Sequence, residues 1–266
     1  MKRFITGVMT AALACSSLVF AASTTDSQLI NSGKDNTKPA EMISLPGVES
    51  IMADYAYSNV NYRGEVIDHY KDTDGNEYTK NPDGTLRTVI FSQNSSVILA
   101  KANSVSEVNN DYLRASVRDL VNSMTKHPEN YEETLFIRHG SGSEIYYDII
   151  FSEKICGFKT ENSVSASVEN DGTISSFTVI DNVDYSGVNT ETLAAISGSA
   201  LKEYVDGQMS ILFGGAVENE INDVYLLNTN GAYSLHITVE YTSAETDVNG
   251  RASSAVKVQE LYYDVN

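Results

Sequence analysis

The chain has 266 residues, with 36 acidic against 18 basic side chains and a formal charge of −18 at neutral pH. Binding to a phosphate backbone or to anionic lipid runs through Lys and Arg that displace counterions, so no nucleic-acid partner is expected and the charge argues against non-specific nucleic-acid binding. Two cysteines, no tryptophan and 16 tyrosines also exclude a disulfide-framed miniprotein and point to sheets whose aromatic rings keep one end wet.

The start reads as an export signal over residues 1–22. Lys2 and Arg3 form a basic head, Phe4 to Phe20 an apolar stretch, and Ala21 and Ala22 supply small residues for cleavage. Removing it takes away two cations and no acid, so the exported chain is more acidic still. Two alternatives keep the protein on a membrane facing outside. The segment Phe4–Ala22 approaches the roughly 20 residues that span a bilayer, and Ala12-Leu13-Ala14-Cys15 resembles a bacterial lipoprotein signal in which Cys15 carries the lipid. Only Cys156 then remains, so no internal disulfide forms, and burial as a small hydrophobe is expected for it. Residues 23–40 are polar and read as a flexible tether.

A Tyr-rich β region is expected over 41–100. Glu65–Tyr70 and Leu86–Phe91 are strand-like, and the turn dipeptides Asp74-Gly75 and Asp83-Gly84 imply a three-stranded meander through Glu77-Tyr78-Thr79. A first helix-plus-strands cassette follows over 104–181. It opens on a capping box at Ser104-Val-Ser-Glu107. The helix then repeats Val108, Tyr112, Leu113, Val117, Leu120, Val121 and Met124 until Pro128 bars it. Strands are expected near Leu135–Arg138, Tyr146–Ser152, Ser163–Val168 and Thr173–Ile180, with Asp171-Gly172 as a hairpin turn.

A second cassette over 187–266 repeats this order. Asn189 or Thr190 caps a helix through Leu193, Ile196, Leu201 and Val205 that Gly207 stops. Strands follow near Asp223–Asn228, Tyr233–Thr242 and Ser254–Val265, with a bulge near Gln259-Glu260 where the inward phase shifts. In Tyr233–Tyr241 apolar and polar residues alternate strictly, and His236 falls on the wet face. The fold class expected is therefore α+β, two tandem helix-plus-antiparallel-sheet units preceded by a Tyr-rich β meander.

Tyr147-Asp-Ile-Ile-Phe151, Lys154, Gly157-Phe158, Val164-Ser-Ala-Ser-Val168 and Asp171-Gly-Thr-Ile174-Ser-Ser-Phe177 resemble a PepSY-like domain, a small cystatin-like helix-plus-sheet module of secreted bacterial proteins and protease propeptides. The Tyr-rich turns before it are similar to the leading region of exported proteins of Gram-positive gut bacteria. The resemblance covers Tyr147–Phe177 in detail and the rest in architecture only. It implies peptidase modulation or binding at the cell envelope, and no catalytic residue, since its motif consists of core and turn positions.

No catalytic, metal or cofactor constellation emerges from the residues. Asp72-Thr-Asp74-Gly75-Asn76 places its Gly and its later acid at the wrong positions for an EF-hand and reads as a polar hairpin tip. Ser123–Lys126 and Ser199–Lys202 have Ser-x-x-Lys spacing without the accompanying elements of that chemistry. His69, His127, His139 and His236 are scattered, and Glu129, Glu132 and Glu133 read as a solvated loop. Tyr55, Tyr57, Tyr62, Tyr70 and Tyr78 are the candidate binding strip, with a half-buried sheet core as the alternative. The function expected is an exported, non-enzymatic binding or modulator module for a peptidase, a peptide or a cell-wall component. An extracellular hydrolase with dispersed carboxylates and a structural spacer are the alternatives.

Overall fold

The computed structural model describes residues 38–61, 64–100, 108–141, 145–246 and 252–265. The expected export segment with Cys15, the tether up to residue 37, Tyr62 and the capping box at Ser104–Glu107 lie outside the described residues. Strand makes up 49% of the described residues and helix 19%. The architecture is thus mostly β, with twelve strands and three α-helices among the described residues, and the α+β expectation is corrected.

The chain divides into two compact units, one of residues up to 104 with Asp171–Thr178, the other of Val105–Asn170 with Val179–Asn266. The first holds β1 (Glu41–Ile43), β2 (Ile51–Val60), β3 (Val66–Lys71), β4 (Glu77–Lys80) and β5 (Leu86–Ile90) as successive antiparallel neighbours. Thr178, Phe177 and Ser176, from β9 (Ile174–Ile180), extend it beside β5. The meander turns at Asp74-Gly75 and Asp83-Gly84, where both glycines take positive φ. Asp72 binds its own turn, accepting from the Asn76 backbone N–H, from Asn76 Nδ2 and from Tyr78 Oη.

The second unit joins the helix and first three strands of the first cassette to the second cassette in one mixed sheet, so the expected pair of separate helix-plus-sheet units does not form. Its strand order is β6 (Tyr131–His139), β7 (Tyr146–Ile155), β8 (Phe158–Glu169), β10 (Asn219–Thr229), β11 (Ala232–Thr246) and β12 (Ala252–Asp264). All neighbours are antiparallel except β8 and β10, which run parallel with Lys159 opposite Tyr225 and Thr160 opposite Leu226. Tyr185 spans this joint. Its hydroxyl accepts from the Glu161 N–H on β8 at 3.1 Å and donates to the Leu226 carbonyl on β10 at 3.0 Å.

Three helices cover this sheet. Helix α1 (Asn110–Met124) starts one turn later than the sequence suggests, because Asn109 accepts from the Tyr112 N–H and caps it, leaving Val108 outside. It buries Leu113, Val117, Leu120 and Val121 and packs on β7 and β8. The expected helix of the second cassette is two: α2 (Thr190–Ala195) and α3 (Gly198–Phe213). Ser197 caps α3, which runs through Gly207 and ends on Gly214 in the left-handed region. A single Gly in a helix weakens it by about 1 kcal/mol, which burial of Leu201, Val205 and Met209 against Leu226, Leu235, Ile237 and Val239 outweighs.

Three further expectations are corrected. Glu132 and Glu133 lie in β6 and not in a loop. Cys156 is exposed, because it shares a two-residue hairpin turn with Gly157 and both take positive φ. No bulge interrupts β12, which stays in register with β11 from Ala252 to Asp264. The apparent phase shift arises because Val256 and Val258 face outward while Leu261 faces the core.

Candidate functional site

The tyrosine strip separates into two kinds of residue. Tyr70 and Tyr78 are fully buried, with hydroxyls donating to Glu41 and Asp72 at 2.7 Å. Burial, and then the carboxylate each one bonds, pushes both phenols far above their ordinary pKa. Tyr55 is half-buried against Tyr70, and Tyr57 is exposed and stacked on His69 at 4.1 Å. Two of the candidates are therefore core, and Tyr57 with its histidine is what faces solvent.

Of the Ser-x-x-Lys pairs, neither brings its hydroxyl to its lysine. Ser123 donates to the Asp119 carbonyl while Lys126 reaches the Asp181 carbonyl, and Ser199 bonds Ser197 while Lys202 pairs with Asp206. Among the described residues no three His, Cys, Asp or Glu converge to hold a metal.

Two other places in the second unit carry unusual chemistry. The first is the outer edge of its sheet at β12. The Val265 N–H donates to the Tyr233 carbonyl, and β12 holds one register against β11, so the odd-numbered residues of β12 make the ladder. The N–H and C=O groups of Ser254, Val256, Val258, Glu260 and Tyr262 therefore point sideways, away from β11. Side chains close two of these carbonyls: Gln259 Nε2 donates to that of Glu260 at 2.9 Å and Tyr204 Oη to that of Tyr262 at 2.5 Å. Those of Ser254, Val256 and Val258 meet no protein partner among the described residues.

The side chains of these even-numbered residues line the sheet face opposite α3. Val256 is 70% exposed, Val258 56% and Tyr262 53%, with Glu240 across from Val258. The same face holds a row across three strands, Tyr225, His236 and Tyr262, with ring centroids 4.7 Å and 4.9 Å apart. His236 was expected to be solvated there. Its neighbouring rings bury it instead, its nitrogens make no hydrogen bond, and Nε2 lies 3.5 Å from Glu260. Burial, followed by Glu161 and neighbouring acids, pushes the Tyr225 phenol up to about 12.

The other edge of this sheet differs. Strand β6 has a register break at Glu133/Leu135 and carries Glu132, Glu133 and Arg138, features that discourage pairing with another chain. Strand β12 combines thirteen residues, unbroken register and exposed valines. Alternation marks a strand but not which strand ends the sheet, so only the unusual Val256 and Val258 on a wet phase were a sequence signal for it.

The second place is a cleft of about 460 Å3 whose lining includes Lys126, Glu153, Ile155, Asn162, Asp181, Asp184 and Tyr185. It is built by an irregularity: Ser152 faces Ser163 but Lys154 faces Lys159, so Glu153 alone stands opposite Thr160, Glu161 and Asn162. Phe151, Ser152 and Glu153 are then buried in succession, which regular alternation forbids. Nothing in the local sequence distinguishes Glu153 from the surface acids.

Compared with known protein families, curated proteins and solved structures, the chain matches none.

Proposed function

We propose that this protein is an exported, non-enzymatic binding module that captures an extended peptide segment by strand addition at β12. The observation that carries the reading is the row of unpaired lateral groups at Ser254, Val256 and Val258, set beside exposed apolar side chains. Open edge groups pair readily with an incoming strand, whose main chain supplies affinity while alternate side chains supply selectivity. The favoured occupant places β-branched residues beside Val256 and Val258 and a lysine or arginine beside Glu260 and Glu240. A second copy of this chain is a poorer occupant, since it brings another strongly negative net charge, −18 over the full sequence, to an edge already flanked by those acids. Such a segment can belong to an extracellular peptidase, to a free peptide or to an envelope protein.

The test is capture by the full chain from culture supernatant and envelope extract, run beside the variant Val258→Pro. The reading expects a partner retained by the parent protein and lost from the variant. Identical recovery by both sinks it, as does dimerisation of the parent alone through this edge.

A further inference from the structure

We infer that the cleft around Glu153 is a second binding site, independent of the β12 edge, and that it takes an organic cation through an ammonium or guanidinium group. Glu153 is only 7% exposed and forms no ion pair among the described residues. Its two hydrogen bonds come from neutral donors and fall on the same oxygen: Thr160 Oγ1 at 3.1 Å and Asn162 Nδ2 at 2.9 Å both reach Oε2.

Both donors are held in that role by other contacts. The Thr160 hydroxyl already accepts from the Asn162 N–H at 3.1 Å, so its own hydrogen is free to point at Glu153. The Asn162 side-chain amide pairs in both directions with the backbone of Val183, which fixes its nitrogen toward Glu153. The site therefore presents a carboxylate locked as an acceptor, with Oε1 left without a donor among the described residues. Lys126 lines the same cleft but turns its ammonium to the Asp181 carbonyl, so a cation entering beside Glu153 supplies Oε1 with a hydrogen-bond donor that the described residues do not.

The class of cation follows from the donors around it. The oxygens of Asp181 are occupied, one by the Tyr131 hydroxyl at 2.7 Å and the other by the Lys126 N–H at 2.8 Å. Asp184 accepts from the Ser186 N–H. Glu153 Oε1 and the remaining Asp184 oxygen fall short of a divalent ion, which seeks six or more oxygens at about 2.0–2.6 Å, and no three acidic, His or Cys side chains among the described residues converge to hold one. The site suits a group that donates hydrogen bonds and carries an apolar stem, for which Ile155 and the Tyr185 ring offer surface. The volume fits a side chain of lysine or arginine size or a small free amine.

Titration calorimetry of the full chain with butylammonium, ethylguanidinium, calcium and the neutral control butanol tests this. A saturable single site for one or both organic cations is expected, weakened roughly tenfold or more in Glu153→Gln and unchanged in Glu203→Gln. A carbon-13 shift of the Glu153 carboxyl in the parent protein, saturating with the same cation, gives the answer without any variant. A free side chain and a free amine are separated by repeating the titration with a capped lysine peptide. The inference is overturned if neither organic cation moves the Glu153 resonance, if Glu153→Gln binds as the parent does, or if calcium alone occupies the site.

Discussion

Tyr204 of helix α3 donates its hydroxyl to the main-chain carbonyl of Tyr262 at 2.5 Å, closing one end of an otherwise open edge strand. The two residues are 58 apart in sequence, and the contact ties the covering helix to the last strand. Tyr204→Phe removes the bond while keeping the ring against Tyr263 at 5.0 Å. The expected cost is about 0.5–1.5 kcal/mol or less, because the freed carbonyl reaches water. Peptide affinity is expected to hold or rise, since one more lateral acceptor becomes available. Denaturant titration and peptide titration of the variant check the two halves.

Proline distinguishes the two sides of β12. Proline lacks the N–H, and in sheets it is tolerated where that N–H faces away from the ladder. Val258→Pro removes a lateral group, so the fold is expected to survive and peptide capture to fall by roughly tenfold or more. Gln259→Pro removes a ladder hydrogen bond and is expected to destabilise by about 3 kcal/mol. Circular dichroism melts beside peptide titrations separate the outcomes. Equal stability loss in both variants contradicts the assignment of sides.

The parallel joint between β8 and β10 holds the two cassettes in one sheet, and Leu226 sits in it fully buried opposite Thr160. Leu226→Ala is expected to cost about 2–5 kcal/mol and to lower the melting of both cassettes together. Separate melting of residues 108–170 and 190–265, followed by hydrogen exchange, would show that the joint does not couple them.

Acid sensitivity is expected in the first unit. The Lys80 ammonium and then the Tyr70 hydroxyl bond Glu41 and hold its pKa below the ordinary value of 4.5. The unfolded chain binds this proton more readily than the folded one does. The stabilisation is therefore complete above about 4.5 and is lost as pH falls through the lower folded value. Glu41→Gln is expected to flatten that part of a stability curve measured between pH 3 and pH 6, and an unchanged curve would remove Glu41 as its source.

Much of the local structure could be read from the residues. The turns at Asp74-Gly75 and Asp83-Gly84, the amphipathic face of α1 and the alternation of β11 each depend on neighbours within a few positions. Pairing partners depend on contacts across the fold. The two helix-and-strand cassettes were legible as elements, but the parallel join of Thr160 to Leu226 was not, and that join turns two expected units into one sheet. Tyr70 and Tyr78 have the same composition signal as an exposed binding strip, yet the Glu41 and Asp72 carboxylates beneath them let their hydroxyls be buried. Gly207 reads as a helix stop only if packing of Leu201, Val205 and Met209 is ignored. Glu153 owes its burial to a three-against-one irregularity between β7 and β8, and the lateral groups of β12 owe their freedom to the end of the strand order.

Amide hydrogen exchange along β12 tests strand addition most directly. In the free protein the N–H groups of Lys257 and Gln259 are expected to exchange slowly, and those of Val256 and Val258 rapidly. The probe is a capped hexapeptide of lysine, threonine, valine, threonine, valine and threonine, whose valines fall beside Val258 and Val256 and whose lysine falls beside Glu260 in antiparallel pairing. Its addition is predicted to slow Val256 and Val258 selectively. Binding that leaves those two amides fast, or protection that appears only elsewhere in the chain, would contradict capture at this edge.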